Sequence, residues 1–297
     1  MPTVRNILMQ PLGAIVPLGH TTPGTTSLKA GSAAFPPILQ YNFSAGSLPI
    51  GNEMQDDQVC LAQTHEESAF TINETIGNEG DTRRLFARMT LPIARALPRV
   101  EQRWEVGPIG PTHSPVTVDV RFATTHGCAL IGELKRPGII DPDSWSNKTI
   151  QTNKTRIGKE LRMYAHTYRC PQVFCFDGVN LLIVRFQAAS IDEIRQETCG
   201  VSCSLIDCKN GNPIYWLYRV AAEGVRRIQG QTAGAVSLGG STRHFEYYNG
   251  KPFWVTPDGT PHGAKSFDHP GNAVRRLANS GQWVWQFNGQ IIIDTPV

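Results

Sequence analysis

The segment from Ile131 to Pro137, which reads Ile-Gly-Glu-Leu-Lys-Arg-Pro, constrains this chain more than any other stretch. It extends the apolar run that begins at Cys128, so the two together predict a strand that enters the core. Alternate side chains of a strand point to the same face, so Glu133 and Lys135 share one face while Leu134 points into the core. An acid and a base arranged in this way favour a site for a divalent metal beside a charged substrate.

A second strand precedes this one. Residues Val116 to Phe122 alternate between apolar and polar side chains, which predicts a strand with its four apolar residues on one face. The turn from Thr124 to Gly127 would join the two strands as an antiparallel hairpin. Asp119 lies on the polar side of the first strand, so we expect it to converge with Glu133 and Lys135 at one end of the sheet.

Periodicity elsewhere in the chain predicts further helices and strands. We expect the first helix to be capped by Asp81-Thr82 and to be kinked or split at Pro92. The predicted helices are Arg83 to Ala96, Lys154 to Tyr168 and Tyr215 to Ile228, and a strand pair is predicted at Val173 to Phe176 and Leu181 to Phe186. This order predicts an α/β sandwich around a mixed sheet and not a doubly wound fold.

Composition divides the chain into three regions. Residues 1–55 are rich in Pro, Gly, Ser and Thr, which predicts an N-terminal arm. Residues 56–229 carry the α/β pattern, and residues 230–297 predict a Gly-rich linker followed by an aromatic-rich C-terminal β extension. The tryptophans of this extension favour a packed core over a base-stacking surface.

Overall composition favours a soluble globular protein. Hydrophobic residues make up 40% and charged residues 18% of 297 residues, and the formal net charge is +3. A charge this small does not by itself indicate nucleic-acid binding, so phosphate contacts would depend on local patches. No apolar run approaches the roughly 18 to 20 residues of a membrane helix, so we expect no membrane partner.

The cysteines bear on location and on metal binding. Seven cysteines, an odd number, favour reduced thiols and an intracellular protein of the cytoplasm or nucleus. Cys199, Cys203 and Cys208 form a loose cluster whose spacing does not match the usual zinc pair. We therefore interpret these three residues as buried thiols.

The carboxylates of the predicted hairpin suit Mg²⁺ or Mn²⁺, since hard cations prefer oxygen ligands and Mg²⁺ keeps several waters. A metal held in this way lowers the pKa of a water molecule and offsets charge on a phosphorane-like transition state. Lys135 could then orient or deprotonate the water, or it could hold the phosphate.

The order Asp119, then Glu133-Leu134-Lys135, resembles the PD-(D/E)XK nuclease superfamily. The run from Lys159 to Ala165, followed by Val173 to Gly178, is similar to the nuclease-like domain found in many fungal proteins. This resemblance extends from Asn78 to Gln229, about half of the chain. It implies a restriction-endonuclease-like α/β/α sandwich with a central mixed sheet.

The resemblance also implies roles for individual residues. The segment Asn78 to Arg84 resembles the N-E-x-x-T-R opening of several branches, which implies Glu79 as a third acid. The implied catalytic residues are Asp119, Glu133 and Lys135. The implied metal ligands are Glu79, Asp119, Glu133 and the backbone carbonyl of Leu134. The implied substrate-binding residues are Arg156, Lys159 and Glu160.

Several of these residues carry an alternative interpretation. Glu79 is equally well explained as a first-turn acid favoured by the helix dipole, and Asp81 as a cap. Arg156, Lys159 and Arg162 are spaced three apart and share one helix face, which fits either a solvated surface or phosphate contacts. Two positions depart from the family pattern, since Val118 stands in place of a proline and Glu160 in place of a glutamine.

The resulting expectation is metal-dependent hydrolysis of phosphodiester bonds in nucleic acid, with DNA favoured and Mg²⁺ or Mn²⁺ as cofactor. Two alternatives stay open, because a fold does not determine a function. The chain could be a catalytically inactive, effector-like binding module, or an enzyme that uses the same acidic pocket on another ligand.

Overall fold

The computed structural model describes residues 2–10, 12–18, 29, 31–45, 61–62, 74–97, 103–109, 116–149, 152–280 and 283–294. The chain divides into two compact units, Met1–Ala222 and Glu223–Val297. Among the described residues, no helix combines the length and apolarity that crossing a membrane requires.

The first unit is built around a seven-stranded mixed sheet with the strand order β2-β9-β8-β7-β6-β5-β4. The strands of the whole first unit are β1 Ile15–Pro17, β2 Asn42–Ala45, β3 Glu74–Ile76, β4 Arg103–Ile109, β5 Val118–Thr124, β6 Gly127–Leu134, β7 Gln172–Phe176, β8 Asn180–Phe186 and β9 Val201–Asp207. Its helices are α1 Val4–Leu8, α2 Glu79–Ala96, α3 Pro142–Trp145, α4 Thr152–Thr167 and the start of α5 Pro213–Thr232. The predicted α/β class with a central mixed sheet is confirmed.

Both predicted hairpins of the sheet are also confirmed. Strands β5 and β6 pair antiparallel through the turn before Gly127, and β7 and β8 pair antiparallel in the same way. Strand β6 also pairs with β7, but in parallel, with Glu133 opposite Cys175 and Leu134 opposite Phe176. The central strand that carries the predicted site is therefore fixed by backbone hydrogen bonds on both sides.

Two apolar clusters cover the sheet, and neighbouring residues of β6 and β7 alternate between them. Leu134 and Phe174 belong to the cluster that includes Phe86 of α2. Ile131 and Val173 belong to the other cluster, which includes Leu161 and other residues of α4. Alternation of this kind places the two clusters on opposite faces of the sheet, so helices pack on both faces.

The prediction that all four apolar residues of the first hairpin strand share one face is wrong. Val120 and Phe122 pack in the cluster with α2, whereas Val118 packs in the cluster with α4. The regular β5–β6 ladder ends at the pair Val120–Gly132. Beyond that pair, the N–H of Leu134 donates to the Asp119 side chain, and on the other side of β5 the register with β4 shifts between Val106 and Ile109.

Helix α2 begins earlier than the sequence pattern predicted, because Asn78 and not Asp81 is its N-cap. The Asn78 side chain accepts a hydrogen bond from Asp81 N, and the Asp81 side chain accepts one from Asn78 N, which forms a capping box. Glu79 is the first helical residue. Pro92 does not split the helix, which continues to Ala96.

The described parts of the predicted N-terminal arm belong to the first unit. Strand β1 pairs in parallel with β3, and β2 pairs in parallel with β9 at the edge of the central sheet. A short 3₁₀ helix, Ser32–Ala34, lies between these two strands along the chain. Residues 46–60 lie outside the described part of the chain.

The second unit contains the end of α5 and two three-stranded antiparallel sheets. Their strands are β10 Ser237–Leu238, β11 Ser241–Phe245, β12 Pro252–Val255, β13 Val274–Leu277, β14 Trp283–Phe287 and β15 Gln290–Ile293. Trp254 and Trp285 are buried in its core and meet edge to face with ring centroids 5.2 Å apart. For these two tryptophans, the prediction of a packed core is confirmed.

Candidate functional site

Glu133 near the end of β6 and Lys135 immediately after β6 point to the same side, as the alternation predicted. The ammonium of Lys135 donates to Oε1 of Glu133 at 2.7 Å, and both side chains are buried. Leu134, between them, is buried in the cluster on the opposite face. The backbone of Lys135 continues the parallel ladder by donating to the carbonyl of Phe176 at 2.9 Å, so the position of Lys135 is fixed.

Asp119 reaches the same end of the sheet from β5. Its Oδ2 accepts a hydrogen bond from the backbone N–H of Leu134 at 2.9 Å. Its Oδ1 accepts one from Arg83 of α2 at 3.2 Å. A carboxylate bonded to the backbone between Glu133 and Lys135 is held in a fixed orientation beside that pair.

Helix α4 contributes two more buried residues, one turn apart. Glu160 Oε2 lies 3.2 Å from the ammonium of Lys135, so the lysine contacts two carboxylates. The hydroxyl of Tyr164 donates to Oε2 of Glu133 at 3.0 Å. Glu160, which the resemblance implied as a substrate-binding residue, therefore lies directly against the predicted catalytic lysine.

A second lysine enters this site from the N-terminal region. The ammonium of Lys29 donates to Oε2 of Glu133 at 2.8 Å, and the backbone N–H of Lys29 donates to Oε1 of Glu160 at 3.2 Å. We call Lys29, Glu133, Lys135, Glu160 and Tyr164 the Glu133 cluster. Together with the Asp119–Arg83 pair, it balances three carboxylates against three cationic side chains.

The charges of the Glu133 cluster shift the pKa values of Glu133 and Lys135 in opposite directions. Burial would raise the pKa of Glu133, but the ammoniums of Lys135 and Lys29 outweigh it and lower that pKa. Burial would likewise lower the pKa of Lys135, but Glu133 and Glu160 outweigh it and raise that pKa above its ordinary range. The raised pKa keeps Lys135 protonated at neutral pH in this arrangement.

The pKa values of the other two carboxyls, Asp119 and Glu160, are raised, whereas that of Glu133 is lowered. Burial, followed by the charge of Glu133, raises the pKa of Asp119 to about 6, against the opposing effects of the Leu134 N–H, Lys29 and Arg83. Burial raises the pKa of Glu160, although Lys135 partly opposes that change. Burial is the main cause of both raised pKa values, and carboxyls whose pKa is shifted by burial beside charged neighbours are common at functional sites.

Glu79 is not brought together with Asp119 and Glu133. Its side chain is 53% exposed, and its nearest ion-pair contact is Arg83 at 3.9 Å. Among the described residues, no group of three or more His, Cys, Asp or Glu side chains is arranged to hold a metal ion. The implied three-acid ligand set is therefore not assembled, because Arg83 lies between Glu79 and Asp119.

Asp119 and Glu133 supply oxygen atoms of the kind that a divalent cation would require, and in this structure cations of the chain contact both carboxylates. Glu133 already holds a cation, since the ammonium of Lys29 lies 2.8 Å from its Oε2 and stands in for an ion. The charge of the same ammonium acts on Asp119. Because Mg²⁺ is usually bound by one or two carboxylates while it keeps several waters, Asp119 and Glu133 with the Leu134 carbonyl suit it chemically.

The remaining residues that were predicted to contact phosphate lie on α4. Arg156 and Lys159 are half-buried on α4, whereas Arg162 is buried and donates to the carbonyls of Ile194 and Gln196 at 2.8 and 2.7 Å. Arg162 is therefore engaged in packing and not available for phosphate.

The cysteine interpretation is confirmed for the described part of the chain. All six cysteines there are free and buried, and none belongs to a possible metal group. The described cysteines are Cys128, Cys170, Cys175, Cys199, Cys203 and Cys208.

Sequence reasoning missed Lys29 and the role of Tyr164. Tyr164 had a usable signal, because it follows Glu160 by four residues and shares its helix face. Lys29 had none, since it lies in a segment without periodicity, 104 residues before Glu133.

A separate cavity of about 880 Å³ lies in the first unit. Apolar and aromatic side chains such as Ile140, Val179, Ile206, Tyr215 and Trp216 line it. No member of the Glu133 cluster is among its lining residues. The charged site and this cavity are therefore distinct features of the unit.

Comparisons of the chain with protein-family models, with curated proteins and with solved structures gave no match.

Proposed function

We propose that this chain is a metal-dependent hydrolase of phosphodiester bonds in nucleic acid, with DNA as the first expected substrate. One observation carries the proposal: Glu133 and Lys135 meet on one face of β6 while the Asp119 carboxylate is held on the N–H of Leu134. This set of groups has the chemistry that the reaction requires, and it agrees with the resemblance to the PD-(D/E)XK superfamily. The restriction-endonuclease-like identity of the α/β core is part of the same proposal.

In this proposal, Asp119, Glu133 and the backbone carbonyl of Leu134 hold Mg²⁺ or Mn²⁺. When bound, such an ion lowers the pKa of a water molecule and offsets charge on the reacting phosphate. Lys135 acts as a cation, because its raised pKa keeps it protonated, and it orients the attacking water or holds the phosphate. Tyr164 fixes the orientation of Glu133 through its hydroxyl.

Substrate binding is assigned to α4. Arg156 and Lys159 would contact phosphates, and Glu160 would contribute indirectly by positioning Lys135. We expect Lys159→Ala and Arg156→Ala each to weaken DNA binding. Each should also make the plot of log affinity against log salt concentration less steep, by the amount expected for the loss of about one phosphate contact. Fluorescence anisotropy at several salt concentrations measures both quantities, with Lys148→Ala as a control lysine.

The direct test is cleavage of plasmid and linear DNA with Mg²⁺ or Mn²⁺. We expect the double variant Glu133→Gln/Lys135→Ala to lose at least about 10³-fold in rate, since it removes transition-state stabilisation. Asp143→Asn/Lys148→Ala is the matched control, because it also removes one acid and one base that form an ion pair 3.2 Å apart, in this case an exposed one. Full activity in the first double variant would remove the proposal.

One observation favours a second candidate, a binding module without catalysis. Every carboxylate of the site has a cation of the chain itself as a partner, and no three-ligand group is present among the described residues. Calorimetric titration separates the candidates. Failure to bind Mg²⁺ or Mn²⁺ at millimolar concentration favours the non-catalytic module, and metal binding without cleavage favours an enzyme that acts on another ligand.

A further inference from the structure

The ammonium of Lys29 occupies one oxygen of Glu133, the residue proposed above as a metal ligand. Its ammonium contacts Oε2 of Glu133 at 2.8 Å and lies 5.3 Å from the centre of the Tyr164 ring. The other oxygen of Glu133, Oε1, is taken by Lys135 at 2.7 Å. Both oxygens of the carboxylate therefore already face an ammonium, and Lys29 is the more exposed of the two lysines, with 31% against 10% of its side chain accessible.

The charge balance of the site depends on Lys29. With Lys29 in place, the carboxylates of Asp119, Glu133 and Glu160 face three cationic side chains. If the ammonium of Lys29 withdraws, three buried or nearly buried carboxylates face two cations. An uncompensated buried charge is strongly unfavourable, so the site would then attract another cation.

The backbone of Lys29 is anchored although its ammonium is accessible. Its N–H donates to Glu160 at 3.2 Å, and its carbonyl accepts from the N–H of Ser32 at 3.1 Å and from the Ser32 hydroxyl at 2.8 Å. Ser32 is itself buried. Because a lysine has a flexible four-carbon stem, the ammonium can leave Glu133 while the backbone stays in place.

From these contacts we infer that Lys29 competes with a divalent cation for Glu133, so that Lys29 sets the metal affinity of the site. The inference rests on the proposed function, since it assumes that Glu133 is a metal ligand. A metal binds tightly only to molecules whose Lys29 ammonium has withdrawn, and the apparent affinity falls by the fraction of such molecules.

The first experiment is Mn²⁺ titration of the full chain by calorimetry. Lys29→Met removes the charge and keeps an apolar stem, and we expect it to bind Mn²⁺ at least about tenfold more tightly than the natural chain. Lys148→Met is the matched control, because it removes one exposed lysine that pairs with Asp143 outside the site. Equal affinity of the natural chain and Lys29→Met for Mn²⁺ would overturn the inference and leave the proposed metal site standing.

The second experiment uses the natural chain and does not depend on a variant. Lysine acetylation by a limiting amount of acetic anhydride, quantified by peptide mass spectrometry, reports the accessibility of each ammonium. We expect Mg²⁺ to increase the labelling of Lys29 several-fold and to leave Lys148 unchanged. Tighter Mn²⁺ binding by Lys29→Met with unchanged labelling of Lys29 would mean that only long-range charge is involved, which contradicts competition.

The two proposals fail in distinguishable ways. If neither the natural chain nor Lys29→Met binds Mn²⁺ at millimolar concentration, both the inference and the metal-dependent function are wrong. If both bind equally and the natural chain cleaves DNA, only the inference is wrong. If Lys29→Met alone binds, the inference is supported and the natural chain is restrained by its own lysine.

Discussion

The two units each contain a buried ion cluster, and the clusters differ in how their charges are held. In the second unit, Asp294 pairs with two guanidiniums, Arg243 of β11 and Arg275 of β13, the latter at 2.6 Å. Both arginines also lie over aromatic rings, Arg243 over Phe245 and Arg275 over Phe267. In the Glu133 cluster of the first unit, the cations are lysines, and one of them reaches solvent.

This difference separates a structural cluster from one that can exchange a partner. Guanidiniums are planar and rigid, and here they are locked on strands between a carboxylate and a ring. Burial, followed by the neighbouring Arg275, lowers the pKa of Arg243 to about 10, which still leaves it charged at neutral pH. The ammonium of Lys29 ends a flexible chain, so one component of the Glu133 cluster can be replaced without dismantling the fold.

The largest effect on stability is expected in the ion cluster of Asp294, Arg243 and Arg275 in the second unit. Asp294→Asn removes the negative charge that two buried guanidiniums share, so we expect the free energy of unfolding to fall by about 4 kcal/mol. Denaturant unfolding followed by tryptophan fluorescence measures this loss. Mg²⁺ binding by the native fraction should stay unchanged, and a stability loss below about 1 kcal/mol would contradict a structural role.

Glu133→Gln should cost less, about 3 kcal/mol, because the Lys29 ammonium that loses its partner can turn into solvent. Glu160→Gln should cost less than Glu133→Gln, because burial raises the pKa of Glu160 and offsets part of the stabilisation from its contact with Lys135. The two variants are a matched pair, since each replaces a buried Glu with a neutral residue of the same shape. Equal losses in denaturant unfolding would contradict the opposite pKa shifts.

The pH dependence of this pair follows from linkage. Glu133 has a lowered pKa in the folded state. Its contribution to the free energy of unfolding is therefore present above its pKa in the unfolded chain and is lost as the pH falls through its pKa in the folded protein. Glu160 has a raised pKa in the folded state. Its contribution to the free energy of unfolding is therefore present at low pH and is lost as the pH rises through its pKa in the folded protein. As the pH falls, the stability difference between the two variants should therefore shrink in two steps, first through the raised pKa of Glu160 and then, below the ordinary value of 4.5, through the lowered pKa of Glu133.

Tyr164→Phe tests how much the Tyr164 hydroxyl contributes to holding the Glu133 side chain in the Glu133 cluster. It removes the hydroxyl that donates to Glu133 at 3.0 Å and retains the buried ring. A hydrogen bond to a charged group is worth about 1.5 kcal/mol or more, so we expect a loss of this size in denaturant unfolding. Tyr218→Phe is a matched control on another buried tyrosine, and a larger loss there would contradict a special role for Tyr164.

The smallest effect is expected for an exposed pair that belongs to neither cluster. Lys148 and Asp143 lie 3.2 Å apart with most of both side chains in solvent. Lys148→Ala should change the free energy of unfolding by less than about 0.5 kcal/mol, because exposed ion pairs are screened. A loss comparable to that of Tyr164→Phe would show that burial does not explain the differences between these sites.

Local patterns predicted the elements that carry the site. The alternation around Glu133 and Lys135 gave the right strand, hairpin and shared face, because strand geometry depends on neighbouring residues only. The faces of β5 were predicted wrongly beyond Val120, where the β4–β5 register shifts between Val106 and Ile109 and the Asp119 side chain accepts a bond from Leu134 of β6. A shift in register against a neighbouring strand leaves no trace in the local periodicity of β5 itself.

The amino-acid sequence by itself determined the α/β class, the β5–β6 hairpin and the placement of an acid and a base on one face of β6, since all three follow from short-range chain geometry. Only the tertiary structure decided that Lys29 completes the charge balance of Glu133, that Arg83 separates Glu79 from Asp119, and that Tyr164 orients the site. Burial in a shared core brings these groups together, and burial depends on how distant segments pack and not on the residues next to each group in the chain.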